Sequence, residues 1–253
     1  MTLSLLRLPV NIVALARWAA GRGFVQADGF DEGRALHHLL AETFGKAVTQ
    51  PFRLLVPPRG KTGSLYAYVA QDLATLRLTA QTIALPENLL VLDLGQLAMK
   101  PMPSGWYSGQ RLGFDLHIRP VRRLNAALAG FAKGAEIDAF LADVLRQNPD
   151  KPPELQEGTR ESVYLDWLAE RLAGAASLDL SATTLARFRR SRVARGATRA
   201  KGLEGPEATF HGTLQIADPA RFADMLARGV GRHRAYGYGM LLLRAPGQPI
   251  PER

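Results

Sequence analysis

Two stretches of this chain carry the same succession of hydrophobic periodicities, and few folds accept such a doubled order. In the first stretch, Leu3 to Leu8 reads as a strand stopped by Pro9, and Ile12 to Ala20 as a helix ending at Gly21. A second helix takes Asp31 as its cap and shows an apolar stripe of Leu36, Leu39, Leu40, Thr43 and Phe44 before Gly45 ends it. Phe52 to Val56 and Leu65 to Val69 then read as strands on either side of Pro57-Pro58-Arg59-Gly60. Asp72 to Leu78 fits a short helix. Leu89 to Leu94 is expected as the closing strand, with Gln96 to Met99 a candidate extension.

The order returns after the break Pro101-Met102-Pro103-Ser104-Gly105. Leu112 to Ile118 reads as a strand, and Val163 to Ala173 as an amphipathic helix with Tyr164, Leu165, Leu168 and Leu172 on one side. Thr184 to Val193 and Thr209 to Ile216 read as strands. Asp218-Pro219 opens a helix with an N-cap and a proline at the first position, and Tyr238 to Arg244 closes the set. An insertion over residues 124–160, helical from Ile137 to Leu145, interrupts this half. Strand-helix-strand-strand-helix-strand is the βαββαβ order of a ferredoxin-like, RRM-like unit. The expected architecture is therefore α+β, with two such domains in tandem over residues 1–103 and 104–253. The halves share no close identity, so the repetition is one of architecture.

The composition restricts partners more than it restricts the fold. Lys and Arg number 32 against 23 Asp and Glu, a net charge of +9, which favours a polyanionic partner. A hydrophobic content of 47% supports a real core. There is no cysteine, so disulfides, zinc-thiolate sites and iron–sulfur clusters are excluded. No secretory leader and no membrane-length apolar window is visible, and a cytoplasmic protein with no membrane partner is expected. The five histidines lack ligand spacing with carboxylates, so neither a metal nor any other cofactor is expected.

Chemistry concentrates in three places. The segment Gly229-Val230-Gly231-Arg232-His233-Arg234-Ala235-Tyr236-Gly237-Tyr238-Gly239 lies between a helical pattern and an apolar strand. Gly229, Gly231, Gly237 and Gly239 permit positive φ and close approach, so the loop serves either to cradle phosphate, with Arg232, His233 and Arg234 beside it, or to shape the fold. Tyr236 and Tyr238 either stack on bases or anchor the last strand. The second place is the helix after Asp31, where His37 borders the apolar stripe and Arg34 stands one turn before it. His38 points away from the core. The third is a run without acids in which Arg187, Arg189, Arg190, Arg192, Arg195, Arg199 and Lys201 fall within fifteen residues. A regular strand there could bury neither face, so a protruding hairpin or loop is expected. Arg119, Arg122 and Arg123 form a smaller basic group.

The chain resembles the CRISPR repeat-processing endoribonucleases, in particular their CasE branch, the RNase subunit of Cascade complexes. Two motifs carry the likeness: Gly229 to Leu242, which is similar to the family's C-terminal signature, and Ala35-Leu36-His37-His38-Leu39-Leu40 through Phe44, which is similar to the helix bearing the family's active-site histidine. Phe210-His211-Gly212-Thr213-Leu214 and Pro120-Val121-Arg122-Arg123 support it. Several relatives carry a tyrosine three residues before the histidine, and Arg34 stands there instead. The resemblance implies a metal-independent endoribonuclease with His37 and Arg34 at the scissile phosphate. It further implies cleavage at the 3′ base of a repeat hairpin, 5′-hydroxyl and 2′,3′-cyclic phosphate ends, retention of the product RNA, and partner subunits of a Cascade-like complex. Two rivals stand beside it: a non-catalytic RNA-hairpin-binding protein on the same fold, and a small-molecule enzyme that uses the glycine loop for a nucleotide phosphate. His117 and His211 read as structural.

Overall fold

The computed structural model describes residues 3–26, 29–147, 159–193 and 203–246. The chain forms two compact units, one of Met1–Trp106 with Ala223–Leu241, the other of Tyr107–Phe222 with Leu242–Gln248.

The first unit opens with β1 (Ser4–Asn11) and α1 (Ile12–Gly21), followed by a small pair, β2 (Val25–Gln26) and β3 (Gly29–Phe30). α2 (Glu32–Phe44) leads to β4 (Phe52–Leu55) and β5 (Thr62–Val69), and then come α3 (Leu73–Ile83), α4 (Pro86–Val91) and β6 (Ala98–Pro101). The sheet order is β4-β5-β1-β6, the antiparallel arrangement of a ferredoxin-like unit. Leu6, Leu8 and Val10 of β1 lie opposite Ala67, Leu65 and Gly63 of β5, and the apolar members of these pairs are fully buried. The helices cover that side, with Leu36, Leu39, Leu40 and Phe44 of α2 in the same core.

Two expectations need correction. Pro9 does not end β1, which continues to Asn11. The β6 partner pairs only as far as Arg7, so the N–H that proline lacks costs no ladder bond, while the Pro9 carbonyl accepts from Asp93 N at 3.1 Å. The expected closing strand at Leu89 is instead part of the helix α4, and the edge strand is β6. Pro86 sits in the first turn with Glu87 beside it, both helix-start signals, and a short apolar run does not distinguish helix from strand. Asn88, fully buried, accepts a 2.8 Å hydrogen bond from Trp18 Nε1 and docks α4 on α1.

The second unit runs β7 (Arg111–Ile118), β8 (Val121–Arg123), β9 (Glu136–Asp138), α5 (Ala139–Gln147), α6 (Arg160–Leu172), β10 (Ala176–Val193) and β11 (Leu203–Ile216). α7 (Pro219–Arg228) then carries the chain back into the first unit, and β12 (Leu241–Arg244) joins the second sheet, ordered β10-β11-β7-β12. This is the same ferredoxin-like order as in the first sheet. Leu112, Phe114, Leu116 and Ile118 alternate with Arg111, Gly113, Asp115 and His117, so β7 presents one apolar and one polar face. Phe114, Leu116, Ile118, Phe210, Leu214, Trp167 and Leu168 form buried positions of this unit. α5 is helical as expected, beginning two residues later than the sequence suggests.

Candidate active site

α2 is built to hold one histidine at the edge of a core. Asp31 Oδ1 accepts from Arg34 N at 3.0 Å and starts the helix, and Gly45, at φ +92°, ends it. Leu36, Leu39 and Leu40 are buried, His37 is half-buried and His38 is exposed.

The glycine segment meets this helix. The loop closes on itself through Val230 N donating to Gly239 O at 2.8 Å, and Tyr236 N donates to His233 O at 2.9 Å. Gly229, Gly231, Gly237 and Gly239 all have positive φ, and His233 sits at +62°. A methyl on Gly239 would lie 2.1 Å from the Val230 carbonyl oxygen, and one on Gly237 would lie 3.1 Å from the Phe52 ring. Close backbone approach thus accounts for these two glycines. At the helix side, a methyl on Gly33 would come within 2.5 Å of the Tyr236 carbonyl oxygen, so only glycine lets loop and helix come so close here.

Around His37 this packing brings together residues far apart in sequence. The Tyr236 ring meets the imidazole edge-on at a centroid distance of 5.2 Å, and Gln50 Nε2 lies 3.5 Å from His37 Nδ1. The pKa of His37 is lowered from its ordinary value, first by burial and next by the neighbouring His38, against a hydrogen bond to the Ala235 backbone that raises it. The imidazole is therefore favoured in its neutral form, the form able to accept a proton. His38 stacks on Phe24 at 4.9 Å, and the Arg34 guanidinium lies 5.3 Å over the same Phe24 ring. Arg34 is thus held against the aromatic neighbour of His38. In the loop, Arg232 is exposed, and Arg234 Nη1 donates to the Arg228 carbonyl at the end of α7. Gln50 and Phe24 carry no sequence signal, because each is significant only through what the fold sets beside it.

The basic positions of the second unit divide. Arg187 and Arg190 are exposed on β10, whereas Arg189 is ion-paired through Nε to Glu207, a carboxylate only 3% exposed that also accepts from Ser191 Oγ. Phe188, on the alternate face, lies near Tyr164 and under the Arg160 guanidinium of α6. This corrects the expectation that neither face of the strand finds partners; α6 and Glu207 supply them, and the described part of the run lies on β10, paired with β11. The Arg192 side chain, and all of Arg195, Arg199 and Lys201, lie outside the described residues. The smaller basic group does not form a surface cluster: Arg119 is 2% exposed and packs against Gly205, Arg122 forms two 2.9 Å bonds to Glu170, and Arg123 alone is exposed. The sequence could not show that the acid balancing Arg122 comes from a helix nearly fifty residues on. His117 Nδ1 lies 3.1 Å from Thr209 Oγ1, and His211 Nε2 lies 3.0 Å from Asp115 Oδ2. Among the described residues no three His, Asp or Glu side chains are grouped to hold a metal ion, and no helix is long and apolar enough to cross a membrane.

The profile of the family described as CRISPR associated protein matches residues 5–245, and the chain belongs to that family. Solved structures share its fold at low identity. The CRISPR endoribonuclease Cse3 bound to a 19-nucleotide RNA is 22% identical with a TM-score of 0.65, over 97% of this chain and 100% of that one. Cse3 of Thermus thermophilus, bound to an RNA representing a pre-cleavage complex, is 20% identical with a TM-score of 0.65, over 96% and 100%. The CRISPR-associated protein Cas6e of Escherichia coli K-12 is 15% identical with a TM-score of 0.52, over 96% and 99%. These likenesses establish the tandem ferredoxin-like fold. Among curated protein sequences none matches the chain.

Proposed function

We propose that this protein is a CRISPR RNA-processing endoribonuclease of the CasE type, cutting precursor RNA at the 3′ base of the repeat hairpin and retaining the product. The observation that carries the reading is His37, half-buried, kept toward its neutral form and enclosed by the glycine loop. Membership of the CRISPR associated family and a fold shared with RNA-bound Cse3 support the substrate class.

The reaction transfers a phosphoryl group within the RNA. The 2′-oxygen attacks the adjacent phosphorus, the bond to the 5′-oxygen breaks, and a 2′,3′-cyclic phosphate and a 5′-hydroxyl result. One proton leaves the 2′-hydroxyl and one must reach the departing oxygen. A neutral imidazole accepts the first, and an imidazolium supplies the second. Arg34 is assigned to the charge that grows on the phosphate. Arg187, Arg190 and the cations of the glycine loop are assigned to the phosphates of the stem, where they give affinity rather than base discrimination. Partner subunits of a Cascade-like complex belong to the same reading.

The test is cleavage of the protein's own repeat RNA in EDTA. His37→Ala is expected to abolish cutting and leave hairpin binding intact. Binding with no cutting by the unaltered protein would establish the non-catalytic alternative. Loss of cutting in Arg34→Ala with retention in His37→Ala would reverse the roles.

A further inference from the structure

A histidine that moves a proton needs a fixed ring rotation and a defined tautomer as well as a suitable pKa, since only one of its nitrogens meets the reacting oxygen. Four neighbours bear on the ring of His37: Gln50 at Nδ1, the Ala235 backbone, the Tyr236 ring and the His38 ring. Gln50 stands in a segment that is itself held firmly. Thr49 before it is 2% exposed, and the Pro51 carbonyl after it accepts from Tyr68 N at 3.3 Å.

The same short run also supports the glycine loop. A methyl on Gly229 would lie 3.0 Å from Pro51 Cβ, and Gly237 rests against the Phe52 ring. The residue that follows Gln50, and the one after it, therefore pack against the loop that meets the ring, so the Gln50 and loop contacts on His37 share one support. A carboxamide suits this place chemically. The amide nitrogen is the atom that faces the ring, and its N–H donates to an unprotonated Nδ1, so the carboxamide favours the tautomer with the hydrogen on Nε2. The charged neighbour acting on the imidazole is His38, on the same helix, and Tyr236 is the titratable group from the loop side.

We propose that Gln50 is a positioning residue for the cleavage reaction: its carboxamide sets the rotation of the His37 ring and which ring nitrogen carries the hydrogen. This rests on the reading of His37 as the proton-transfer group. Two substitutions test it in the full chain. Gln50→Met keeps the length of the side chain and removes the amide. Gln50→Glu keeps its shape and brings a carboxylate to Nδ1.

The readouts are nitrogen-15 shifts of the His37 ring across pH and single-turnover cleavage of the repeat hairpin. In Gln50→Met the ring is expected to lose its tautomer preference, and the rate to fall by up to about 100-fold with RNA affinity unchanged. In Gln50→Glu the carboxylate favours the imidazolium, so the ring titrates at higher pH and the acid limb of the rate profile moves up with it. Unchanged ring shifts and an unchanged acid limb in both variants would overturn the proposal. Should Gln50→Met fail to fold, the His37 titration in Gln50→Glu decides alone, by moving or not. Cleavage at the parent rate in His37→Ala would strike down the reading of His37 itself, while the ring shifts would still decide the contact with Gln50.

Discussion

His37 owes its chemistry to neighbours that act in opposite directions. Burial and the like charge of His38 disfavour the imidazolium, and the Ala235 backbone favours it, with burial the largest influence and the net direction downward. A histidine whose folded pKa lies below its unfolded value takes up protons less readily when folded. Folding is therefore disfavoured as pH falls through the unfolded value, and the neutral, proton-accepting ring is preserved to lower pH. His38→Gln removes the like charge and should raise the pKa of His37. The acid limb of the cleavage profile is expected to move to higher pH, which single-turnover rates across pH would measure. Both histidines are adjacent in sequence, so the pair was legible. The weight of each was not, because His38 lies exposed on Phe24 and His37 sits under a loop almost two hundred residues further along the chain.

At the scale of elements, the hairpin β10–β11 shows how cross-strand partners sort the cations of one charge run. Arg187, Arg189 and Ser191 lie opposite Thr209, Glu207 and Gly205, and the buried Glu207 neutralises Arg189. Arg187 has no such acid in register. Arg187→Ala should therefore weaken binding to any RNA and lower the salt slope of affinity by about one. Arg189→Ala should lower that slope less and instead lower the melting temperature, since it leaves Glu207 short of a donor in a buried site. Binding titrations over a range of salt and a thermal scan of both variants check this. The run itself was plain from composition, but its sorting depended on an acid supplied by the partner strand. α4 was misread for a related reason. Leu89 and Leu90 fit a strand interior, yet they are 42% and 74% exposed, and the buried members of the helix are Val91 and the polar Asn88.

At the scale of the whole molecule, the chain does not finish one unit before beginning the other. Ala223–Leu241 returns to the first unit, bringing Ala235 and Tyr236 to His37, before β12 completes the second sheet. A buried hydrogen bond marks the return: Tyr68 Oη donates to the Leu241 carbonyl at 2.8 Å. Tyr68→Phe deletes the donor and leaves that carbonyl short of a partner, a loss of about 1 kcal/mol expected in the urea midpoint at unchanged slope.

What the sequence by itself determined was local. Asp31, the proline after Asp218, the alternation of β7 and the positive-φ glycines each act on their own few residues, and the doubled βαββαβ order follows from them in series. The tertiary structure alone decided which of the cations face solvent, that Gln50 meets His37, and that the final glycine loop serves the first unit. Those outcomes depend on contacts between residues widely separated in the chain, and neither periodicity nor composition reaches that far.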